Sequence, residues 1–399
     1  MAPSPALSSA AAPHSPLSVA PTSVATASSS ASASASQPSL YGDPALPGGT
    51  AAVPKADDDE DSVQDPPESR ERRLWELRLQ HNYMEILYAA RQAERAISNP
   101  PLTFLWTVEL PQLAFSNDSI LYGTFAHSAL NLWAQATDAP EREHLRMLQR
   151  TYLGMALREQ RKMVATLGRD NADALCISSL LILSHSFALV QTTLPEDGDV
   201  SAWQAPVEWL RLGRGTGTLF TVARALLPNG PDNVITRYLN SPPHFDPDEI
   251  FKPENRADLM WTLDLDRPPG GDGSAPLSAA EELEEREAAD KITRRIYERV
   301  LCYTGWVKGA VERGEARFSV QRRLAAFAVW TPEVFEDFCQ QRRARALVAL
   351  AWFFSLWIPY DDMWTINGTG KKQVRAIYQT LEPRWRVKLE PIMTQHELV

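Results

Sequence analysis

The stretch from Glu109 to Trp133 constrains the fold more than any other part of this chain. Pro111 breaks the backbone ahead of it, and Ser116 or Asp118 is placed to cap a helix. Residues 119–133 then contain no Asp, Glu, Lys or Arg. A helix that is apolar on almost every face has no side to offer to water, so it must lie inside a larger helical body.

The remaining patterning agrees with that. Leu74, Leu77, Tyr83 or Met84, Leu87 and Tyr88 form one stripe at helical spacing. Further helices are predicted at about 118–137, 140–167, 171–193 and 204–226. Residues 227–276, broken by Pro231, Pro242-Pro243, Pro247, Pro253, Pro268-Pro269 and Gly270-Gly271, read as a long connection with one short helix near 253–261. Ser278 and Glu281 have capping-box spacing, and Ile292, Ile296, Val300, Tyr303, Val307 and Val311 then repeat on one face. Thr331-Pro332-Glu333 is a second helix start. Residues 347–358 are apolar all round until Pro359, and Gly368 and Gly370 mark a turn before a last helix, 371–381. No alternating strand run and no internal repeat is present. The reading is all-α: a single large irregular helical domain at 70–395, of about ten to thirteen helices.

Residues 1–68 are rich in Ala, Ser and Pro and end in the acidic run Asp57 to Asp61. Such a segment buries too little apolar surface to offset its ordering entropy, and it reads as a disordered tail. An acidic activation segment is the alternative, but it would carry aromatics or leucines among its acids.

Of 399 residues, 44% are hydrophobic, which supports a sizeable core, and the net charge of −10 gains nothing from nucleic-acid phosphates. Direct DNA binding and a membrane span are not expected. The longest apolar run, 346–358, is short of the ~20 residues a span needs. No Lys or Arg precedes Lys55, so neither a secretory nor a mitochondrial leader is legible, and the chain reads as intracellular. The three cysteines, Cys176, Cys302 and Cys339, are scattered and read as small buried hydrophobes.

Motifs for chemistry fail on spacing. Gly213-Arg-Gly215-Thr-Gly217 lacks a third glycine at Thr218 and a preceding strand, so it reads as a helix bend or turn. Asp361-Asp362 has Thr365 where a metal-binding aspartate motif would place a third acid, and reads as a helix N-cap. His81, His127, His144 and His185 have no metal-ligand spacing; His127 and His185 lie in apolar stretches and read as hydrogen-bonded core histidines. The chain reads as a non-enzyme with no cofactor and no metal.

The aromatics have a different character. Trp352, Phe353, Phe354, Trp357, Met363 and Trp364 fall together, as do Phe115, Tyr122 and Phe125. They belong either to a filled core or to the lining of a cavity for an apolar ligand. Periodicity does not separate the two.

Four stretches together resemble the C-terminal regulatory domain of fungal zinc-cluster transcription factors, in the sterol-uptake-regulator-like branch. They are Pro111-Gln-Leu-Ala-Phe-Ser116 with its helix, Pro206-Val-Glu-Trp-Leu-Arg-Leu-Gly-Arg-Gly215, Arg345 to Trp357, and Asp362-Met-Trp-Thr-Ile-Asn-Gly368 with the segment ending in Pro383-Arg-Trp385. The resemblance covers about residues 72–393. It implies an all-α regulatory domain in the nucleus, with shuttling to the cytoplasm, that senses an apolar sterol- or lipid-like ligand and meets protein partners of the transcription machinery. Phe115, Tyr122, Phe125, Phe353, Trp357, Met363 and Trp364 are the ligand-lining candidates by position in the matched segments and by chemistry. An interaction scaffold with a filled core is the alternative, and an all-α enzyme a distant third. The six-cysteine cluster of that family is not among these residues. A truncated gene model, a regulator acting through a partner, and a domain without a transcriptional role would each account for that.

Overall fold

Leu79, Tyr83 and Leu87 stand one turn apart and seat the first helix, α1 (Arg70–Glu94), on the rest of the chain. Asn82 on the same face donates to Ser128 Oγ (2.9 Å) and to Asn131 Oδ1 (3.1 Å). The single stripe expected on this helix is in fact two. Leu74, Leu77, Met84 and Tyr88 face the other way, into solvent, because they sit half a turn from the buried set.

The computed structural model describes residues 65–94, 104–193, 203–227, 233–264 and 279–398. Residues 1–64 of the tail expected at 1–68, with its acidic run, and the Ser278 cap lie outside them. Among the described residues there is no strand. After α1, a π-turn at Leu105–Glu109 leads into α2 (Leu110–Ala114). There follow α3 (Asp118–Gln135), α4 (Ala139–Ala165), α5 (Ala172–Leu189) and α6 (Val207–Arg224). Short helices α7 (Val234–Leu239), α8 (Pro247–Ile250) and α9 (Pro253–Arg256) lead into a 3-10 stretch, Ala257–Leu263. The C-terminal part holds α10 (Ala279–Ala289), α11 (Lys291–Glu312), α12 (Arg317–Trp330), α13 (Glu333–Gln340), α14 (Ala344–Ser355), α15 (Thr369–Thr380), α16 (Pro383–Arg386) and α17 (Glu390–Gln395). Eleven of these are eight residues or longer.

Helix α3 packs on α1, α4 and α5; α5 packs on α6, α6 on α12, and α14 on α15. Helices α3, α5 and α14 are buried along most of their length and form the centre. Taken alone, residues Ala172–Thr192 are long and apolar enough to cross a membrane, a stretch the longest-run reading passed over because serines and His185 interrupt it. Within the fold 83% of it is buried, the condition of a core helix.

Several caps differ from expectation. Neither Ser116 nor Asp118 caps α3: Asn117 holds that position without a capping bond to the helix, its Nδ2 donating back to the Leu113 carbonyl as Ser116 Oγ does. Thr331 ends α12 by donating to the Phe327 carbonyl (2.7 Å) and does not cap α13. Asp290 divides the expected long helix into α10 and α11 by accepting from the Ile292 and Thr293 N–H groups. Ile292 is therefore 60% exposed rather than on the packed face, which Tyr297, Val300, Leu301, Tyr303 and Val307 supply. The connection after 227 is more helical than its prolines suggest, because Pro247 and Pro253 each occupy a first helical turn. The helix at 369–380 is not the last, since α16 and α17 follow. Asp361 and Asp362 cap nothing: Asp362 pairs with Arg317, and Asp361 lies 3.7 Å from Lys371.

The glycine run forms neither a bend nor a turn: it lies within the regular helix α6. Gly213 lies in α6 where α12 crosses, and a Cβ there would stand 2.3 Å from Ala328 Cβ. Its glycine permits a close helix crossing.

Candidate ligand-binding core

An aromatic cluster fills the space between α5, α6, α12 and α14. Phe327 stacks on Phe353 at 3.7 Å between centroids, and Trp209 stacks on both at 5.7 and 6.0 Å. Trp357 meets Trp209 edge-on at 5.6 Å and leans on Phe187 at 4.4 Å. Phe354 lies against Trp357 at 5.1 Å. These side chains come together because α14 is apolar on every face, so residues at successive positions meet different neighbouring helices. The indole Nε1 atoms of Trp209 and Trp357 are buried with no hydrogen-bond partner. An unpaired buried donor costs about 1–3 kcal/mol.

A second group lies between α3 and α4. Phe125 meets Tyr152 edge-on at 5.2 Å, and Tyr122 stacks on Tyr152 at 6.2 Å. The Tyr152 hydroxyl donates to Glu76 Oε1, which also accepts from Arg72.

Between α3, α4 and α5 runs a polar seam. Gln149 Nε2 lies 2.8 Å from His185 Nε2, and His127 stands 6.0 Å from His185 between ring centroids. Trp364 approaches His127 edge-on at 4.8 Å and packs beside Trp133 and Leu145. Its carbonyl accepts from Gln191, which also accepts from Asn367 (3.1 Å). Burial depresses both histidines, His127 to about 4 and His185 to about 3, the latter with a further push from His127. The Nδ1 atoms of both have no partner. His127 is thus core, as expected, though without the hydrogen bond expected for it.

The seven sequence candidates are distributed over these places. Phe353 and Trp357 lie in the aromatic cluster, Tyr122 and Phe125 in the second group, and Trp364 over the seam. Met363 is half-buried beside Trp364 in the turn before α15. Phe115 is 85% exposed at the end of α2 and joins none of them, because the chain turns outward there toward Asn117. Sequence reasoning missed Phe187, Trp209 and Phe327. Trp209 lies in a segment singled out for its resemblance, so a signal existed; nothing marked Phe327. All three cysteines are buried, and burial pushes Cys176 up to about 12.

Comparison with known proteins gives the same direction. No family model matches the chain. A Zn(2)-C6 fungal-type transcription factor of Aspergillus fumigatus, afumD, is 27% identical over 243 residues, 61% of this chain and 57% of the relative. The chain is homologous to Zn(2)-C6 fungal-type transcription factors. One from Gibberella zeae is 22% identical over 329 residues, 80% of this chain and 61% of that protein. Sterol uptake control protein 2 of Candida albicans is 30% identical over 104 residues, 25% of this chain and 14% of that protein. The chain therefore spans about three fifths of the first two relatives' length.

Proposed function

We propose that the helical body is the regulatory region of a nuclear transcription regulator that senses a small apolar, sterol- or lipid-like molecule. In this reading it acts through protein partners, since these 399 residues carry a net charge of −10 and gain nothing from DNA phosphates. The homology to transcription factors supports the regulatory role. The single observation that carries the sensing role is the aromatic cluster, in which two buried indole donors, Trp209 Nε1 and Trp357 Nε1, have no acceptor. A mostly apolar ligand with one hydroxyl or carbonyl would bury its skeleton among the rings and accept from an indole. Phe353 and Trp357 are the contacts of first choice, with Met363 and Trp364 flanking, and Tyr122 and Phe125 forming a separate wall.

A scaffold with a filled core is the second reading. It is favoured by the direct stacking of Phe327 on Phe353 at 3.7 Å. Native mass spectrometry with lipid extraction, on the full chain from a eukaryotic host, separates the two. Sensing requires a co-purifying sterol or lipid that is lost on Trp357→Phe while the fold persists. A clean apo mass, with no thermal shift across a sterol and lipid panel, selects the scaffold.

A further inference from the structure

Helix α10 is seated on the body by its carboxylates. Over residues 282–289 Glu287 is the one buried side chain, with Glu284 half-buried beside it. Leu283, the one large apolar residue of the helix, is 47% exposed. The Glu284 carboxylate accepts from Arg384 (3.1 Å) and from the Trp385 indole (2.9 Å), and its backbone carbonyl accepts from Arg345 (2.8 Å). Glu287 accepts from Arg343, Arg345 and the Tyr297 hydroxyl. Three residues apart, the two glutamates share one face of the helix. By contrast α11, the next helix, docks through Tyr297, Val300, Leu301, Tyr303 and Val307. An eleven-residue helix is too short to hold itself together in water, so α10 is helical where it is docked.

The basic groove beneath is braced without α10. Arg343 lies 4.1 Å from the Phe338 ring and donates to Gln341 (2.9 Å). Arg345 lies 5.2 Å from the Trp385 ring and donates to the Leu263 carbonyl (2.8 Å). Arg384 donates to Glu382 (2.8 Å). Each guanidinium is thus aimed by partners outside α10, and a groove so preorganised binds at a low ordering cost.

We propose that Arg343, Arg345, Arg384, Trp385 and Tyr297 form a docking groove for an acidic helix of a partner protein, and that α10 fills it in cis. The chemistry of the occupant is that of α10: two glutamates at i and i+3, whose carboxylates match planar guanidinium forks and an indole N–H. A helix that offers the same two carboxylates can take the place of α10 without stripping apolar surface from a core. On exchange α10 opens as a unit while α11 stays packed. Tethering gives α10 an effective concentration on the order of millimolar, so a partner displaces it only where its helix binds more tightly than the α10 sequence does. The inference does not rest on the ligand reading.

Hydrogen exchange of the full chain, together with the fluorescence anisotropy of a labelled peptide of residues 279–289, tests it. In the wild type α10 should exchange at least roughly tenfold faster than α11. Arg384→Glu should speed α10 roughly tenfold further and leave α11 unchanged, with far-UV circular dichroism as the check on folding. Glu284→Gln with Glu287→Gln should empty the groove, and the peptide should bind that chain at least roughly tenfold more tightly than it binds the wild type. The same peptide with both glutamates replaced by glutamine should not bind. If the double variant does not fold, excess unlabelled peptide added to Arg384→Ala and to wild type reads the same groove: it should speed α10 exchange in the wild type and do so less in the variant. Exchange of α10 in step with α11 in both the wild type and Arg384→Glu, or equal behaviour of the glutamate and glutamine peptides, would overturn the proposal.

Discussion

Trp357 meets Trp209 edge-on at 5.6 Å, and the indole N–H of each is buried without an acceptor. Edge-to-face contact is the favoured geometry for two rings, so the pair binds the turn after α14 to α6 through dispersion and quadrupole attraction. The same contact leaves two donors unsatisfied in an apolar surround. Stability and the capacity to recognise a polar atom therefore reside in the same two side chains.

Phe353 lies 3.7 Å from Phe327 and 6.0 Å from Trp209 between centroids, so Phe353→Ala removes one ring of a three-ring cluster. We expect a loss of about 3–5 kcal/mol in urea unfolding. A loss below about 1 kcal/mol would mean that the neighbouring helices collapse into the space, and the cluster would then not be a packed core.

The buried histidines set an acid limit on stability. In the folded state His127 and His185 remain neutral down to about 4 and about 3, whereas the unfolded chain takes up protons from about 6.5. The unfolded state thus binds more protons as pH falls below 6.5. Their contribution is complete above that pH and is lost toward pH 4 for His127 and toward pH 3 for His185. Each should add a slope of roughly 1.4 kcal/mol per pH unit in that window. Unfolding free energies at several pH values, compared between wild type and His185→Gln, check this; equal slopes would remove His185 from the account.

Gly213 lets α6 and α12 touch. In Gly213→Ala the new Cβ would stand 2.3 Å from Ala328 Cβ and 2.9 Å from the Ala328 carbonyl carbon. Backbone cannot yield as a side-chain tip can, and we expect a cost of about 1–3 kcal/mol in thermal or urea unfolding. Ala328→Gly in the same chain should recover part of it. An unchanged midpoint for Gly213→Ala would mean that the helices separate freely.

Glu287 is buried on α10 and accepts from Arg343 (2.7 Å), Arg345 (3.3 Å) and the Tyr297 hydroxyl (3.2 Å). Glu287→Ala strands two guanidinium groups in a low-dielectric site. We expect a loss of about 3–5 kcal/mol, together with faster hydrogen exchange across α10. Exchange in α10 unaltered by the substitution would show that other contacts hold that helix.

Much of the helical body was legible before the structure. The charge-free run at 119–133 and the apolar run at 347–358 announced buried helices, and they became α3 and α14. Pro and Gly placed several ends well, as at Gly368, whose φ of 73° ends the turn before α15. The site was less legible. Phe353 and Trp357 were found because they sit in one dense run. Phe327 was not, because a single Phe on α12 carries no mark of the rings it will meet from α6 and α14. Phe115 lies only seven residues from Tyr122 in sequence, yet one turn of chain at Ser116 and Asn117 sends it to the surface.

Sequence alone determined the class of this protein. Runs without charge cannot face water, helical spacing excludes strands, and a composition of 44% apolar residues demands a core. Only the tertiary structure decided which apolar residues that core accepts. On α1 both faces carry large apolar side chains, and a stripe pattern does not say which face meets the body. Asn82 settled it by finding Ser128 and Asn131 on α3, which drew Leu79, Tyr83 and Leu87 inward and left Leu77 and Tyr88 outside. Periodicity is a property of one helix, while burial is a property of the partner it meets.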